Sequence, residues 1–519
     1  MKDFNKLKVW EKAHHFTLRI YKITKNFPSD ERFGITGQLR RSAASIPTNI
    51  AEGCGRDSER DFARFMSIAA GSASEVEYQL LLACDLNYIQ DETYEELHQQ
   101  VNELKKMLNS FIKKLTANKK GTIMDTGQKT ETYVCQTYVR QGKAFVSGKG
   151  MYLTDEDGQK YTDFLAGIAV CSLGHCHPEV TEAIREQAGR LVHVSNLFYT
   201  QPQADLARAL VEKSFADRVF FANSGAEANE AAIKLARRYF QQNGEKKRFQ
   251  IITMAGSFHG RTMATLTATG QDKIKQGFYP LLEGFSHVPF NDLAALEKEL
   301  DDTVCAVMME PIQGEGGVIP ADPDYLEGVR TLCDRTGTLL IFDEIQTGMG
   351  RCGTLFAHET CGVTPDIMTL AKALGNGVPI GAMLATQTAA KGFAPGSHGS
   401  TFGGTPLATA AGCKTLEIIS DPLFLEQVRE KGRYFKKQLH ALKEKHSRIL
   451  QVRGAGLLLG MEIDTDASFF VENCFKKGFI INAIQDKVLR FAPPLIVETA
   501  DIDQLVAVLD SLFERGDAA

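Results

Sequence analysis

The sequence predicts two folds in one chain. An all-α, up-and-down four-helix bundle comes first, then an α/β domain on a mostly parallel sheet, followed by a smaller α+β domain. Three observations predict this. Residues 1 to 117 hold four long helical patterns and no convincing strand. From Thr132 onward, short apolar runs alternate with helical patterns. Two of those runs lead into a lysine and an aspartate, Lys372 and Asp343. At 519 residues there is room for about three domains.

Composition narrows the function classes. An apolar share of 43% with 24% charged residues is ordinary for a globular protein. A formal net charge of -5 argues neither for a nucleic-acid groove nor for a membrane surface. No apolar run approaches a membrane span, and the opening MKDFNKLKVWEKAHH does not read as a signal peptide. Eleven cysteines without framework spacing suggest reduced thiols in a cytoplasm. Cys171 and Cys176 beside His175 and His177 lack a second ligand pair at zinc spacing. That stretch reads as a turn into a helix near Pro178, and no metal site is expected.

In the bundle, helices are expected from about Lys6 to Asn26, Asp30 to Cys54, Ser58 to Leu86, and one through Leu97. Pro47 should bend or break the second, and Ser58 with Asp61 marks the start of the third. The fourth sets Leu97, Val101, Leu104, Leu108, Phe111 and Leu115 in one seam. VWEKAHHFTLRIYKIT, FPSDERFGITGQLRRSAASIPTNIAEG and FARFMSIAAGSASEVEYQLLLA resemble the small bundle proteins encoded in intervening sequences of bacterial ribosomal RNA genes. The resemblance implies oligomerisation, since members form ring-like assemblies. Arg40, Arg41, Arg56, Arg60 and Arg64 raise RNA binding as the alternative, but the segment's near-balanced charge favours a solvated face.

In the second part, FVSGKGMYLTDEDGQKYTDF suggests hairpin strands around Asp157-Gly158. Arg218 to Asn223 reads as a strand delivering Ser224-Gly225-Ala226 to a helix, an arrangement suited to a phosphate. Strands are also expected at Phe249 to Met254, Val304 to Met309, Leu339 to Phe342, Asp366 to Ala371 and Ala382 to Ala385. A helix from Leu425 to His446, with strands at Leu457 to Ile463, Phe479 to Ala483 and Val488 to Phe491, forms the smaller domain.

Lys372, past one core strand, and Asp343, ending another, match what pyridoxal 5'-phosphate needs. The amine condenses with its aldehyde, and the carboxylate keeps the ring nitrogen protonated. SNLFY, FFANSGAEANEAAIKLAR, GSFHGRT, EPIQGEGGV, DEIQTGMGR, TLAKALGNG, HGSTFGG and LRFAPPL stand in one order. By these motifs the chain from Thr132 resembles the class III, fold-type I aminotransferases, and within them the group acting on N2-acetylornithine.

The resemblance implies catalytic roles for Lys372 and Asp343, with Gly225 and Ala226 at the cofactor phosphate and Phe258 against its ring. It places Asp343, Glu344, Ile345 and Gln346 along the ring, and Thr401 at the phosphate of a neighbouring subunit, hence a homodimer. Arg261 is implied to clamp a substrate carboxylate, with Ser400 touching substrate. Arg490 and Glu315 are implied to form a switch. The carboxylate neutralises the arginine for the acylated donor and releases it for glutamate. The implied reaction moves the δ-amine of acetylornithine to 2-oxoglutarate. Succinylornithine, ornithine and 4-aminobutyrate are the alternative donors, and a bundle-driven scaffold carrying the enzyme is the alternative of another kind.

The expected boundaries are 1–117 for the bundle and 118–131 for the linker. Residues 132–195 would be an N-terminal segment, 196–410 the large cofactor domain and 411–519 the small domain.

Overall fold

The computed structural model describes residues 3–56, 59–117 and 125–516. It comprises two compact units, Met1–Gly142 and Lys143–Ala519.

In the first unit, the described residues form four long helices, Lys8–Ile23, Ile35–Cys54, Glu59–Asp85 and Asp91–Ala117. Leu97, Val101, Leu104 and Leu108 of the expected seam are buried, and Phe111 meets Phe62 edge-on at 5.7 Å. Each fully buried leucine contributes about 1.5–3 kcal/mol to the bundle. The side chain of Leu115 and the expected cap Ser58 lie outside the described residues.

Of the two outcomes expected at Pro47, a bend or a break, the break does not occur: the helix runs on from Ile35 to Cys54. Proline leaves the carbonyl four residues back without its helical N–H. That carbonyl is Ala43 O, and the Thr17 hydroxyl of the first helix lies 2.8 Å from it. The same hydroxyl lies 2.8 Å from Ala13 O, so its one proton is shared between its own helix and the carbonyl that Pro47 frees.

Half of the expected join, residues 118–124, lies outside the described residues, and a short helix, Thr126–Tyr133, begins in the other half. Asp125 accepts from Gln128 N at 2.7 Å, while Gln128 Oε1 accepts from Asp125 N at 3.2 Å.

Among the described residues of the second unit, seven strands form the central sheet. Their spatial order is Arg218–Ala222, Gly381–Ala385, Ile367–Leu370, Leu339–Asp343, Val304–Met309, Gln250–Met254 and Phe285–Val288. Gly381–Ala385 runs antiparallel to both neighbours; the other pairings are parallel. Val304–Met309 and Leu339–Asp343 are buried at every position, which explains their unbroken apolar runs. The edge strand Phe285–Val288 was not expected from sequence. It is short, interrupted by Ser286 and His287, and only Val288 is buried.

The smaller domain pairs Ile449–Ala455 with Leu458–Ile463, and the latter with Val488–Phe491. Helices Pro422–Lys445 and Thr499–Gly516 accompany this sheet. Arg351, buried at the end of DEIQTGMGR, donates to Leu457 O, Pro493 O and Ser172 Oγ. One guanidinium therefore ties together three stretches of the second unit that are more than a hundred residues apart in sequence. No helix of the described residues is long and apolar enough to cross a membrane.

Candidate active site

Parallel strands end along one edge of a sheet, and the loops after them form the crevice where α/β proteins bind ligands. Here that crevice is a cavity of about 460 Å³, lined by Gly225, Ala226, Phe258, Arg261, Glu310, Glu315, Asp343, Ile345, Gln346 and Lys372 among others.

Lys372 follows the strand Ile367–Leu370 and opens a short turn through Gly375. Its φ of 43° is left-handed, a conformation costing a non-glycine residue about 1–3 kcal/mol. Asn376 closes the turn and holds it in place. Its Oδ1 accepts from Leu173 N at 2.8 Å, and its Nδ2 donates to Gly174 O at 3.2 Å.

Burial lowers the Lys372 amine from 10.5 to about 8, against a smaller opposing pull from Glu315. The neutral amine is therefore present from about pH 8 upward. Between about 8 and 10.5 the unfolded chain keeps a proton that the folded chain has released, so this group adds stability as pH rises. Below about 8 both states are protonated, and that contribution is gone. Uptake of an aldehyde by the apoprotein should accelerate with pH and level off above about 8. Stopped-flow absorbance measures this; a rate flat from about pH 7 to about pH 9 contradicts it.

Asp343 is 3% exposed, and its oxygens have fixed partners. Oδ2 accepts from Asn229 Nδ2 at 2.8 Å and lies 2.7 Å from His259 Nδ1; Oδ1 accepts from Ile345 N at 3.1 Å. The Thr369 hydroxyl donates to Asn229 Oδ1 at 2.7 Å, and Asn229 Nδ2 also donates to His259 O at 2.8 Å. The carboxylate is thereby held in one orientation.

The helix Gly225–Gln242 begins at the cavity, with Ser224 as its cap. Its first N–H groups have no partners within the helix, which suits an anion. A Cβ on Gly225 would stand 2.7 Å from Ile345 Cδ1, so no larger residue fits unless Ile345 moves.

Glu315 lines the cavity and is ion-paired to Arg490 behind it. Arg490, 1% exposed, also donates to Gln346 Oε1 and Asn482 Oδ1, each at 3.2 Å. Burial alone raises the Glu315 carboxyl, but Arg490 more than offsets this, and the net result is lowered. Arg261 is exposed at the cavity, its guanidinium carbon 5.8 Å from the Phe258 ring centroid.

Four residues named from the sequence do not line this cavity: Arg490 meets it only through Glu315 and Gln346, and Glu344, Thr401 and Ser400 lie elsewhere. Glu344 turns away: it accepts from Ala357 N at 2.5 Å and His358 N at 2.8 Å, capping a helix. Burial raises its carboxyl to about 8. Thr401 is exposed and lines a separate cleft with His193, Asn196 and Thr405. Ser400 accepts from Asn223 Nδ2 at 3.2 Å, and Asn223 itself lines the cavity.

Sequence reasoning missed Asn229, His259 and Glu310, although each sits inside a quoted motif. The Gly-His-Cys-His-Pro stretch holds His175 Nε2 2.8 Å from Asp163 Oδ2, and a helix begins at Pro178. The Asp163 hydrogen bond, with help from Cys171, raises His175 to about 10.

A lysine, a buried carboxylate and a helix start around one cavity define a site for an aldehyde-bearing anionic cofactor. The Aminotransferase class-III family model matches residues 137–513, and the chain belongs to that family. Its reactions are transfers of amino groups with pyridoxal phosphate, and the residues at the cavity fit that cofactor. The similarity is strong to acetylornithine aminotransferases. That of Methanocaldococcus jannaschii is 52% identical over 381 residues, covering 73% of this chain and 96% of its own length. That of Caldanaerobacter subterraneus subsp. tengcongensis is 52% identical over 384 residues, covering 74% and 98%.

Among solved structures, N-acetylornithine aminotransferase from Stenotrophomonas maltophilia matches with TM-score 0.65 and 38% identity, covering 75% of this chain and 98% of that one. Ornithine aminotransferase from Toxoplasma gondii matches with TM-score 0.72 and 34% identity, covering 75% and 94%. The 23S rRNA-intervening sequence protein family matches residues 5–110.

Proposed function

We propose that the chain transfers the δ-amine of N2-acetylornithine to 2-oxoglutarate, giving N-acetylglutamate 5-semialdehyde and glutamate. The observation that carries this reading is the ion pair between Glu315, which lines the cavity, and Arg490. One pocket must take a donor whose amide-capped end is neutral, then glutamate with two carboxylates. A paired arginine suits the first, and an arginine released from its partner suits the second.

Pyridoxal phosphate, when bound, supplies an aldehyde for the donor amine and a ring that accepts the electron pair freed at the donor carbon. Lys372 Nζ, neutral near pH 8, takes the proton from that carbon. Asp343, oriented by Asn229 and His259, holds a proton at the ring nitrogen. Gly225 and Ala226 would receive the phosphate, Phe258 would cover one ring face, and Gln346 would meet the ring hydroxyl. Arg261 takes the donor's carboxylate, with Ser400 beside it.

Thr401 reaches the phosphate of a second subunit in a homodimer. The exposed Leu197, Phe198, Tyr199 and Phe402 supply an apolar surface for that dimer. The bundle adds a higher assembly, and the protein works in the cytoplasm. Mass in solution tests the assembly: a particle larger than a dimer supports it, and a simple dimer opposes it.

Turnover of acetylornithine, ornithine and 4-aminobutyrate tests the substrate. Acetylornithine should give the highest kcat/KM; preference for either other donor rejects the reading. Glu315→Ala should shift the preference between glutamate and acetylornithine by roughly tenfold towards glutamate, because Arg490 is left free. An unchanged ratio rejects the switch.

A further inference from the structure

Glu310 follows the strand Val304–Met309, is 5% exposed and lines the cavity. Its two oxygens serve two different loops. Oε2 accepts from Phe258 N at 3.0 Å, and Oε1 accepts from Gly314 N at 3.2 Å. The first loop carries Phe258 and Arg261; the second carries Glu315. Gln313 makes a further tie, donating to Ala255 O at 2.9 Å.

Gly314 also stands against the amide of Gln346, where a Cβ would lie 2.2 Å from Oε1. That same Oε1 accepts from Arg490. A shift of Gly314 would therefore reach both halves of the ion pair, Glu315 through the chain and Arg490 through Gln346.

We propose that Glu310 is a positioning residue that sets substrate specificity. It fixes the spacing between Arg261 and the Glu315–Arg490 pair. The inference rests on the functional reading above, in which the two arginines grip the two carboxylates of glutamate. Glutamate then feels any change in their separation at both ends, whereas acetylornithine is held by its carboxylate at Arg261 alone. A carboxylate accepts from both loops; an amide accepts from one and turns a donor towards the other. Glu310 thus acts on donor choice, through the loops, without touching the transferred proton.

The test uses the full-length holoenzyme and Glu310→Gln, with KM and kcat measured for glutamate and for acetylornithine. The ratio of the glutamate KM to the acetylornithine KM should rise about tenfold, with kcat within about threefold of wild type. The change in ratio should shrink when Glu315→Ala is already present, because the two substitutions act on one loop. Glu310→Asp, which keeps the charge but is too short to reach both loops, should move the ratio the same way. It serves if the glutamine variant does not fold.

A ratio within about twofold of wild type overturns the proposal. So does a fall in kcat shared equally by both donors together with lost cofactor absorbance, which would mark a purely structural role. A wild-type chain that turns over glutamate but not acetylornithine defeats the functional reading instead, and the glutamate KM alone then decides on Glu310.

Discussion

Lys372→Ala is expected to lower transamination by at least about 10⁴-fold, the full range of a positioned acid–base group. In the proposed reaction the amine serves twice, as the point of covalent attachment and as the carrier of the transferred proton. Its setting supports both uses: the Asn376 clamp fixes the turn, and burial lowers the amine to about 8. Steady-state turnover of acetylornithine with 2-oxoglutarate measures the loss. Lys372→Arg should not restore activity, because a guanidinium stays charged at every accessible pH. Activity within about tenfold of wild type in the alanine variant contradicts the assignment.

Asp343→Asn should cost about 10²–10³-fold in kcat, the usual effect of removing one preorganised electrostatic partner. The size and shape of the side chain are kept, so the loss reports charge. An amide has one accepting oxygen: placed at Oδ2 it keeps Asn229 Nδ2 and His259 Nδ1, but its NH2 then faces Ile345 N, which Oδ1 now receives at 3.1 Å. A donor left unmatched in so buried a place costs about 1–3 kcal/mol. The variant should therefore melt at a lower temperature as well as turn over more slowly. A kcat within about fivefold of wild type would show that the carboxylate is dispensable.

Lys372 and Asp343 were legible because their signals are local. An apolar run buried on both faces needs no partner to announce a core strand, and a charged residue at its end is conspicuous. The bundle was legible for a similar reason, since the seam through Leu104 repeats along a single helix. Asn229, His259 and Glu310 were not legible. Asn229 lies 114 residues from Asp343, His259 84 residues from Asp343, and Glu310 52 residues from Phe258, so only the fold creates those contacts.

Glu344 shows the opposite error. It adjoins Asp343 in sequence, yet alternation along an extended chain turns it away from the cavity and towards the N–H groups of Ala357 and His358. The break expected at Pro47 does not occur, and the carbonyl it frees, Ala43 O, meets the Thr17 hydroxyl 26 residues away, a contact no local pattern announces. Phe285–Val288 escaped notice because an edge strand needs only one buried face.

The central claim is that one amine, Lys372 Nζ, holds pyridoxal phosphate in this cavity. Borohydride reduction of the purified full-length protein with that cofactor, followed by mass mapping of its peptides, tests it most directly. A phosphopyridoxyl group fixed to Lys372, and lost on prior incubation with acetylornithine, is the predicted result. A label on another lysine, or no label at any lysine, would contradict it.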